Sequence, residues 1–523
     1  MLAALLIGFL CAAHASVEKR PFDSHTSLSS LFLSALFGRR FLPTPPLKQA
    51  PTKTNAERQK SAHDNFFAGA CIQITEPVVL DKESGKQPHQ GSGLLMRIAV
   101  IGSGIAGLSA AWLLASHHEV VVFEANDYAG GHSNTVDVTL DGLTHPVDTG
   151  FLVHNDRTYP NLIQFLALLG VETHASEMTF SVSLPQADLE WAGASLSTLF
   201  AQIRNLWRPA FWRMVRDILH FNRESTELLK QAQASNITLG QLLDKQHYSQ
   251  EFREWYLYPM GAAIWSSPLK DMEFFPAETF LQFCLNHGLL QIFNRPQWRT
   301  IKNGSREYVK AILEKLPDMR LSCPVQSIKR STEGVIVSTV KGVETYDIAI
   351  MACHTDQALK ILADANPQEE NVLSNIRYQK NTAWLHNDNN LMPRRRHAWS
   401  AWNYYGAAAT DTPHSREQQS PVAVTYWLNR LQALPFTQDV FVTLNPPTPP
   451  ASDKTIRRIE YAHPLIDQKA YQAQKELISI QGMNHVYFCG AWAGYGFHED
   501  GLKAGMKVAQ LLGAKISWKA HHE

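Results

Sequence analysis

The sequence predicts an α/β protein in which a parallel-sheet domain is assembled from separated stretches of chain, with an α+β portion interleaved. Three observations predict it. A strand, a glycine-rich loop, a helix and a second strand follow one another from Arg97 to Glu124. The same strand–glycine loop–helix order returns from Val486 to about Leu512. Between these ends, short β-branched runs at 321–351 are flanked by long stretches dense in aromatic residues.

Residues 1–95 differ from the rest. Met1–Ala15 is apolar and ends in Ala13-His14-Ala15, like a cleavage site, but the first lysine is Lys19, so a basic leader region is missing. Residues 21–95 are rich in Pro, Ser, Lys and Gln and show no sustained period of 2 or 3.6. Three readings stay open: a disordered extension or an upstream start used in place of Met96, a targeting segment, and a folded accessory element.

Arg97–Ile101 has the β-branched character of a buried parallel strand. It runs into Gly102-Ser103-Gly104-Ile105-Ala106-Gly107 and then a helix expected from Leu108 to about Ser116. A second strand, Glu119–Phe123, ends at Glu124, 22 residues after Gly102. This is the order of a Rossmann-type dinucleotide site. Gly102 serves the tight turn, Gly104 the approach of backbone to a pyrophosphate, and Gly107 the close packing of helix on strand. The helix N-terminus offers free N–H groups to phosphates, and the Glu124 carboxylate can accept from both ribose hydroxyls.

The next stretch, Ala125-Asn126-Asp127-Tyr128-Ala129-Gly130-Gly131-His132, resembles the second glycine motif of the flavin amine oxidase superfamily, with His132 where Arg is commoner. Val147-Asp148-Thr149-Gly150-Phe151 resembles the segment that passes the flavin ring. Gly490-Ala491 and the helix after it resemble the superfamily's flavin-facing terminus, although Gly-Asp is usual there. The resemblance implies FAD as cofactor. The implied contacts are Gly102 to Gly107, Glu124, Ala125, Gly131, His132, Gly150, Phe151, Gly490, Ala491, Gly501 and Leu502, with Val325 against the adenine.

From Met96 to about Leu512 the chain resembles a narrower family, the bacterial FAD-dependent oxidoreductases that also form the N-terminal half of plant cyclopropane fatty-acid synthases. Segments carrying this likeness include Ile264-Trp265-Ser266, Arg295-Pro296-Gln297-Trp298, Ala398-Trp399-Ser400-Ala401-Trp402-Asn403 and Gly494-Tyr495-Gly496-Phe497-His498-Glu499-Asp500-Gly501. It implies a flavoprotein associated with modified acyl chains. Three readings follow: oxidoreduction or double-bond isomerisation of a lipid acyl chain, oxidation of an amine or polycyclic compound, and a non-catalytic flavin-binding partner of an acyl-lipid methyltransferase. His498 and Glu499, just before the flavin-facing helix, are the candidate proton-handling residues, since His exchanges protons near neutral pH. Asp500 is expected to cap that helix.

The expected division is an FAD-binding domain from 96–174, 296–358 and 478–514, and a substrate domain from 175–295 and 359–477. The aromatic residues of the latter fit either ordinary core or the wall of a tunnel for a hydrophobic small molecule or lipid. In Phe200–Arg223 an apolar face (Phe200, Ile203, Leu206, Trp207, Phe211, Met214, Ile218, Leu219) is interleaved with Arg204, Arg208, Arg213, Arg216 and Arg223, and Pro209 should kink or break it. It reads either as a helix packed on the protein or as a peripheral contact with an anionic membrane surface.

Composition limits the alternatives. The chain has 523 residues, 45% hydrophobic and 18% charged, with Lys+Arg 48 balancing Asp+Glu 48. That is room for two or three domains, and no bulk charge for nucleic acid. No apolar run is long enough to span a bilayer. The six cysteines are scattered, with no metal-ligand spacing, which points to a reducing, cytoplasmic setting, at most peripheral to the inner membrane surface, and to no metal.

Overall fold

The computed structural model describes residues 95–291, 294–406 and 422–518, so the readings of residues 1–94 fall outside it. Its centre is a five-stranded parallel sheet in the order Asp318–Arg320, Glu119–Phe123, Arg97–Ile101, Ile348–Met351, Val486–Phe488. The strands are apolar on both faces because their side chains alternate between two cores. Ile98, Val100, Val120, Val122, Ile348 and Ile350 face one; Ala99, Ile101, Val121, Phe123, Ala349 and Met351 face the other. A sheet of this kind must be covered on both sides. Helices Ile105–Leu114 and His498–Leu511 cover the first face. The antiparallel strands Val325–Ser331, Gly334–Thr339 and Gly342–Tyr346 cover the second, together with three short helices.

Those helices alter the expected division of the chain. Residues 359–477 were assigned whole to the substrate half. Yet Leu362, Val372, Leu373 and Ile376, and on the far side Ala470 and Ala473, pack beneath the parallel sheet. The second face of the sheet needs an apolar cover, and these amphipathic pieces supply it. Only the strands between Tyr378 and Pro464 belong to the other sheet.

That second sheet has seven strands, in the order Thr455–Pro464, Tyr378–His386, Phe441–Leu444, Ala423–Trp427, Trp402–Tyr405, Phe180–Leu184, Leu189–Ala192. The pairs are antiparallel except Trp402–Tyr405 with Phe180–Leu184. Helices Pro209–Ser235 and Ala277–Asn286 contribute to its core.

The stretch breaks at Pro209 as expected, with Arg208 extended between two helical pieces, and Pro209 opens the second of them. It is the first residue of the 27-residue helix Pro209–Ser235, where its missing N–H has no intrahelical partner to lose. The helix buries Phe211, Met214, Val215, Phe221 and Leu228, so this part of the amphipathic stretch packs on the protein. The preceding residues form a separate 3-10 turn, Ile203–Trp207. Among the described residues no helix is long and apolar enough to cross a membrane.

Candidate functional site

A cavity of about 1350 Å³ joins the C-terminal edge of the parallel sheet to the aromatic face of the seven-stranded sheet. The two glycine loops and the C-terminal loop meet there. Gly102, Ser103, Gly104, Ile105, Ala106, Glu124, Ala125, Gly131, His132, Gly150, Phe151, Val325, Gly490, Ala491 and His498 all line it.

The fingerprint loop is held as a phosphate cradle. Gly102 turns at φ +106°, where a Cβ would lie 2.8 Å from the Ala352 carbonyl oxygen. The helix begins at Ile105, earlier than the sequence suggested, and Gly104 at its N-cap offers no side-chain cap. The first-turn amides therefore lack intrahelical partners and border the cavity. Ser103 ties the loops together: its backbone N–H and Oγ donate to Glu124 Oε2 at 3.0 and 2.6 Å, and Gly130 N–H donates to its Oγ at 3.2 Å. Asn126 donates from its backbone N–H and Nδ2 to Glu124 Oε1, each at 2.9 Å. The buried carboxylate is thus fixed before a ribose arrives.

His132 supplies no positive charge in place of the commoner arginine. Its ring stacks on Tyr461 at 4.8 Å, and its Nε2 is buried without a partner among the described residues. Burial first, then the neighbouring His463, His354 and His498, hold its pKa well below the usual histidine value. Phosphate charge at this loop falls to backbone amides and the helix dipole. Open space at Gly104, free amides and a fixed acid together fit the dinucleotide half of FAD.

Three expected cofactor contacts sit behind the wall instead. Gly107 packs on the strand, where a Cβ would fall 2.0 Å from the Gly102 carbonyl oxygen. Gly501 packs against Ile105, and Leu502 is fully buried in the core. Gly107 thereby fills its expected packing role, and Gly501 and Leu502 lie inside because the last helix starts at His498, so that its start presents Phe497 and His498 to the cavity. Asp500 caps that helix as expected, accepting from Phe497 N–H at 2.9 Å.

His498 and Glu499 part company. The Glu499 carboxylate turns away from the cavity and accepts from Asn161 N–H, Asn161 Nδ2 and Leu162 N–H at 3.1, 2.7 and 3.0 Å. It caps helix Pro160–Leu168, which leaves it no proton-handling position. His498 stays at the wall. Its ring lies on Phe151 with centroids 3.7 Å apart and planes 7° from parallel. Its Nε2 is 2.9 Å from Ser133 Oγ and 3.1 Å from the Tyr308 hydroxyl, and those two hydroxyls also bond each other. Nδ1 is the ring nitrogen left for a group in the cavity. Burial, then His154, pushes the His498 pKa down to about 3, so the ring is neutral at pH 7. Ser133 and Tyr308 were not foreseen. Replacing Tyr308 with Phe removes a buried hydroxyl and should lower stability by about 1–2 kcal/mol in urea unfolding while leaving bound cofactor unchanged.

The flavin containing amine oxidoreductase family model matches residues 105–383. Flavin-containing amine oxidase A of Canis lupus familiaris is 24% identical over 263 residues, 47% of each chain, and that of Equus caballus 25% identical over 264. The chain spans about half the length of these curated relatives. Among solved structures, putrescine oxidase bound to putrescine aligns with TM-score 0.57 and 15% identity, covering 81% of this chain and 100% of that one. A conjugated-linoleic-acid-producing fatty acid isomerase from P. acnes aligns with TM-score 0.52 and 15% identity, covering 80% and 98%. Both likenesses are of fold. With the family model spanning more than half of the sequence and the cradle described above, the chain belongs to the flavin containing amine oxidoreductases, and its cofactor is FAD.

Proposed function

We propose that the protein is an FAD-dependent oxidoreductase acting on C–H or C=C bonds of a hydrophobic acyl chain, by desaturation, saturation or a double-bond shift. One observation carries the reading. The cavity wall built from residues 178–298 and 402–444 is aromatic and aliphatic, with Trp191, Tyr256, Trp265, Phe283, Trp402 and Tyr426 prominent. Arg295, which is exposed, is the charged residue lining the cavity from those stretches, and Lys380 and Glu460 line the same cavity from strands Tyr378–His386 and Thr455–Pro464. His287 there is held neutral, its pKa pushed down to about 4 by burial. Glu460 is the carboxylate on the substrate side of the cavity, and it pairs with Arg458 at 2.8 Å. The aromatic stretches themselves hold none for an ammonium group, whereas a hydrocarbon chain gains about 25 cal/mol for each Å² it removes from water. Arg295 matches an anionic head.

The flavin supplies a two-electron hydride acceptor or donor. The chain holds the substrate in an apolar slot, and Ser133 and Tyr308 fix the His498 ring so that Nδ1 can relay a proton from the cavity. Replacing His498 with Phe keeps the stack on Phe151 and removes the relay. FAD content should stay the same while turnover falls by roughly 10²–10⁴.

The direct test incubates purified holoprotein with phospholipids, free fatty acids and primary amines, following flavin absorbance and acyl-chain mass. Gain or loss of two hydrogens, or a shifted double bond, is the expected result. Flavin reduction by amines alone would transfer the protein to the amine-oxidising reading. No turnover on any class, with co-purification of an acyl-lipid methyltransferase, would support the non-catalytic partner role.

A further inference from the structure

Directly ahead of helix Pro209–Ser235 the surface is unusual. Within the five residues of the Ile203–Trp207 turn, Ile203 is 73%, Leu206 39% and Trp207 83% exposed. Isolated exposed apolar side chains are ordinary, but three large ones on one turn form a patch that water disfavours. Residues 200–223 also carry five arginines and a single acid, Asp217, in a chain whose formal net charge is zero. Some of that charge is offset: Arg204 pairs with Asp188, Arg213 with Glu251, Arg216 with Asp217 and Arg223 with Glu224. Arg208, next to the patch, donates instead to the backbone carbonyls of Ala187 and Asp188 and keeps its charge.

The turn is linked to the aromatic end of the cavity. The Arg208 guanidinium lies over the Trp255 ring at 5.0 Å. Trp191 Nε1 donates to the Trp255 carbonyl at 3.2 Å, and Trp191 packs on Tyr256 with centroids 6.0 Å apart. Trp191 and Tyr256 are cavity wall.

We propose that the Ile203–Trp207 turn docks the protein on a bilayer bearing anionic headgroups. Ile203, Leu206 and Trp207 enter the interfacial layer, Arg208 meets the phosphates, and Arg204 can exchange its Asp188 partner for one. An exposed tryptophan beside arginines suits that boundary, since indole is favoured at headgroup depth and basic groups are drawn to anionic lipid. The Arg208 charge, which no carboxylate offsets among the described residues, selects an anionic lipid surface over a second copy of this chain, which would bring the same unbalanced charge to the contact. The inference extends the acyl-chain reading by bringing the site next to its substrate's own phase, and its readout is binding, independent of turnover.

The test is co-sedimentation of the FAD-loaded protein with vesicles of phosphatidylcholine alone or mixed with phosphatidylglycerol. The wild type should pellet with the mixed vesicles, much less with phosphatidylcholine alone, and be released by salt. Ile203→Asp combined with Trp207→Asp should cut the bound fraction roughly tenfold or more while the flavin spectrum is kept. Arg204→Glu, at an exposed position, should weaken binding by itself. Failure of the wild type to bind mixed vesicles, or equal binding by the variants, overturns the proposal. So does a wild-type dimer that the apolar variant converts to monomer in sedimentation velocity, which would make the patch a self-contact. Vesicle binding without acyl turnover would overturn the proposed reaction and leave the docking surface standing.

Discussion

Gly107→Ala should come out of purification nearly colourless and melt at a lower temperature, whereas Gly104→Ala should lose FAD without losing its fold. The two glycines are three residues apart in one motif, yet they face different things. A Cβ at Gly107 would lie 2.0 Å from the Gly102 carbonyl oxygen and 3.0 Å from the Ala352 Cβ. Backbone cannot step aside as a flexible side chain can, so helix Ile105–Leu114 must lift off the strand it covers. Overpacking of this kind costs about 1–3 kcal/mol or more, and it displaces the amides that face the phosphates. At Gly104 a Cβ would meet nothing within 4 Å, and the backbone there, at φ −65°, suits alanine. The apoprotein should therefore stay within about 1 kcal/mol of wild type, the scale of an N-cap change. The methyl group occupies space at the cavity wall and holds the pyrophosphate off the backbone. Loss of one charge-assisted hydrogen bond is worth about 1.5–3 kcal/mol, or roughly 10- to 100-fold in affinity. Calorimetry of the two apoproteins with FAD titration separates the outcomes. Equal melting temperatures for both variants would contradict the assigned roles.

Acid should unfold the apoprotein well before carboxylate chemistry alone would. Buried histidines are held neutral by burial: the pKa values of His154, His287, His386 and His463 are pushed down to about 4, that of His498 to about 3, and that of His132 well below the usual value. Unfolded, each titrates near 6.5. Between those limits the unfolded chain binds more protons, so stability present above about pH 6.5 is lost as pH falls. Two buried carboxylates act in the opposite sense. Burial raises Asp148 and Asp500 to about 6, so the native state takes up their protons first and gains stability between about pH 6 and 4. The histidines outweigh the two acids, and the net loss by pH 5 is on the order of 7 kcal/mol. That is comparable with the whole stability of a typical domain. Tryptophan fluorescence should show a cooperative transition between about pH 5.5 and 4, with net proton uptake. Replacing His386, whose ring bonds Thr443 Oγ1 and Asp388 N–H, with Gln should move that midpoint to lower pH. A fold intact at pH 4 would refute the assignment of neutral interior imidazoles.

What the sequence disclosed follows from which contacts are local. The first glycine loop, Glu124 and the strands on either side lie within thirty residues, and their spacing alone marks the cradle. The grip on His498 was not legible, because Tyr308 and Ser133 stand 190 and 365 positions away from it. Glu499 looked equivalent to His498 because the two are adjacent. On a helix, neighbours point about 100° apart, so one reaches the cavity and the other the start of helix Pro160–Leu168. Gly501 and Leu502 were misjudged through a helix start placed three residues late. Pro209 was read as a breaker from its chemistry, and the helical pieces do part there; that it also opens the long second helix was not legible. The helical residues at 359–374 and 468–476 were given to the other half because an amphipathic helix does not say in its own sequence which sheet it will cover.

The order of strands in the parallel sheet also bears on how the chain is made. Arg97–Ile101 forms the middle of that sheet, while the edge strand Val486–Phe488, paired with Ile348–Met351, is made roughly 400 residues later. The ribosome thus releases everything between the two strands before the sheet is complete, and pairings so distant along the chain form slowly. Meanwhile strand edges and apolar faces stay open to wrong partners. Capture of the flavin becomes a late event in biogenesis, and chaperone supply during expression should govern the yield of yellow protein.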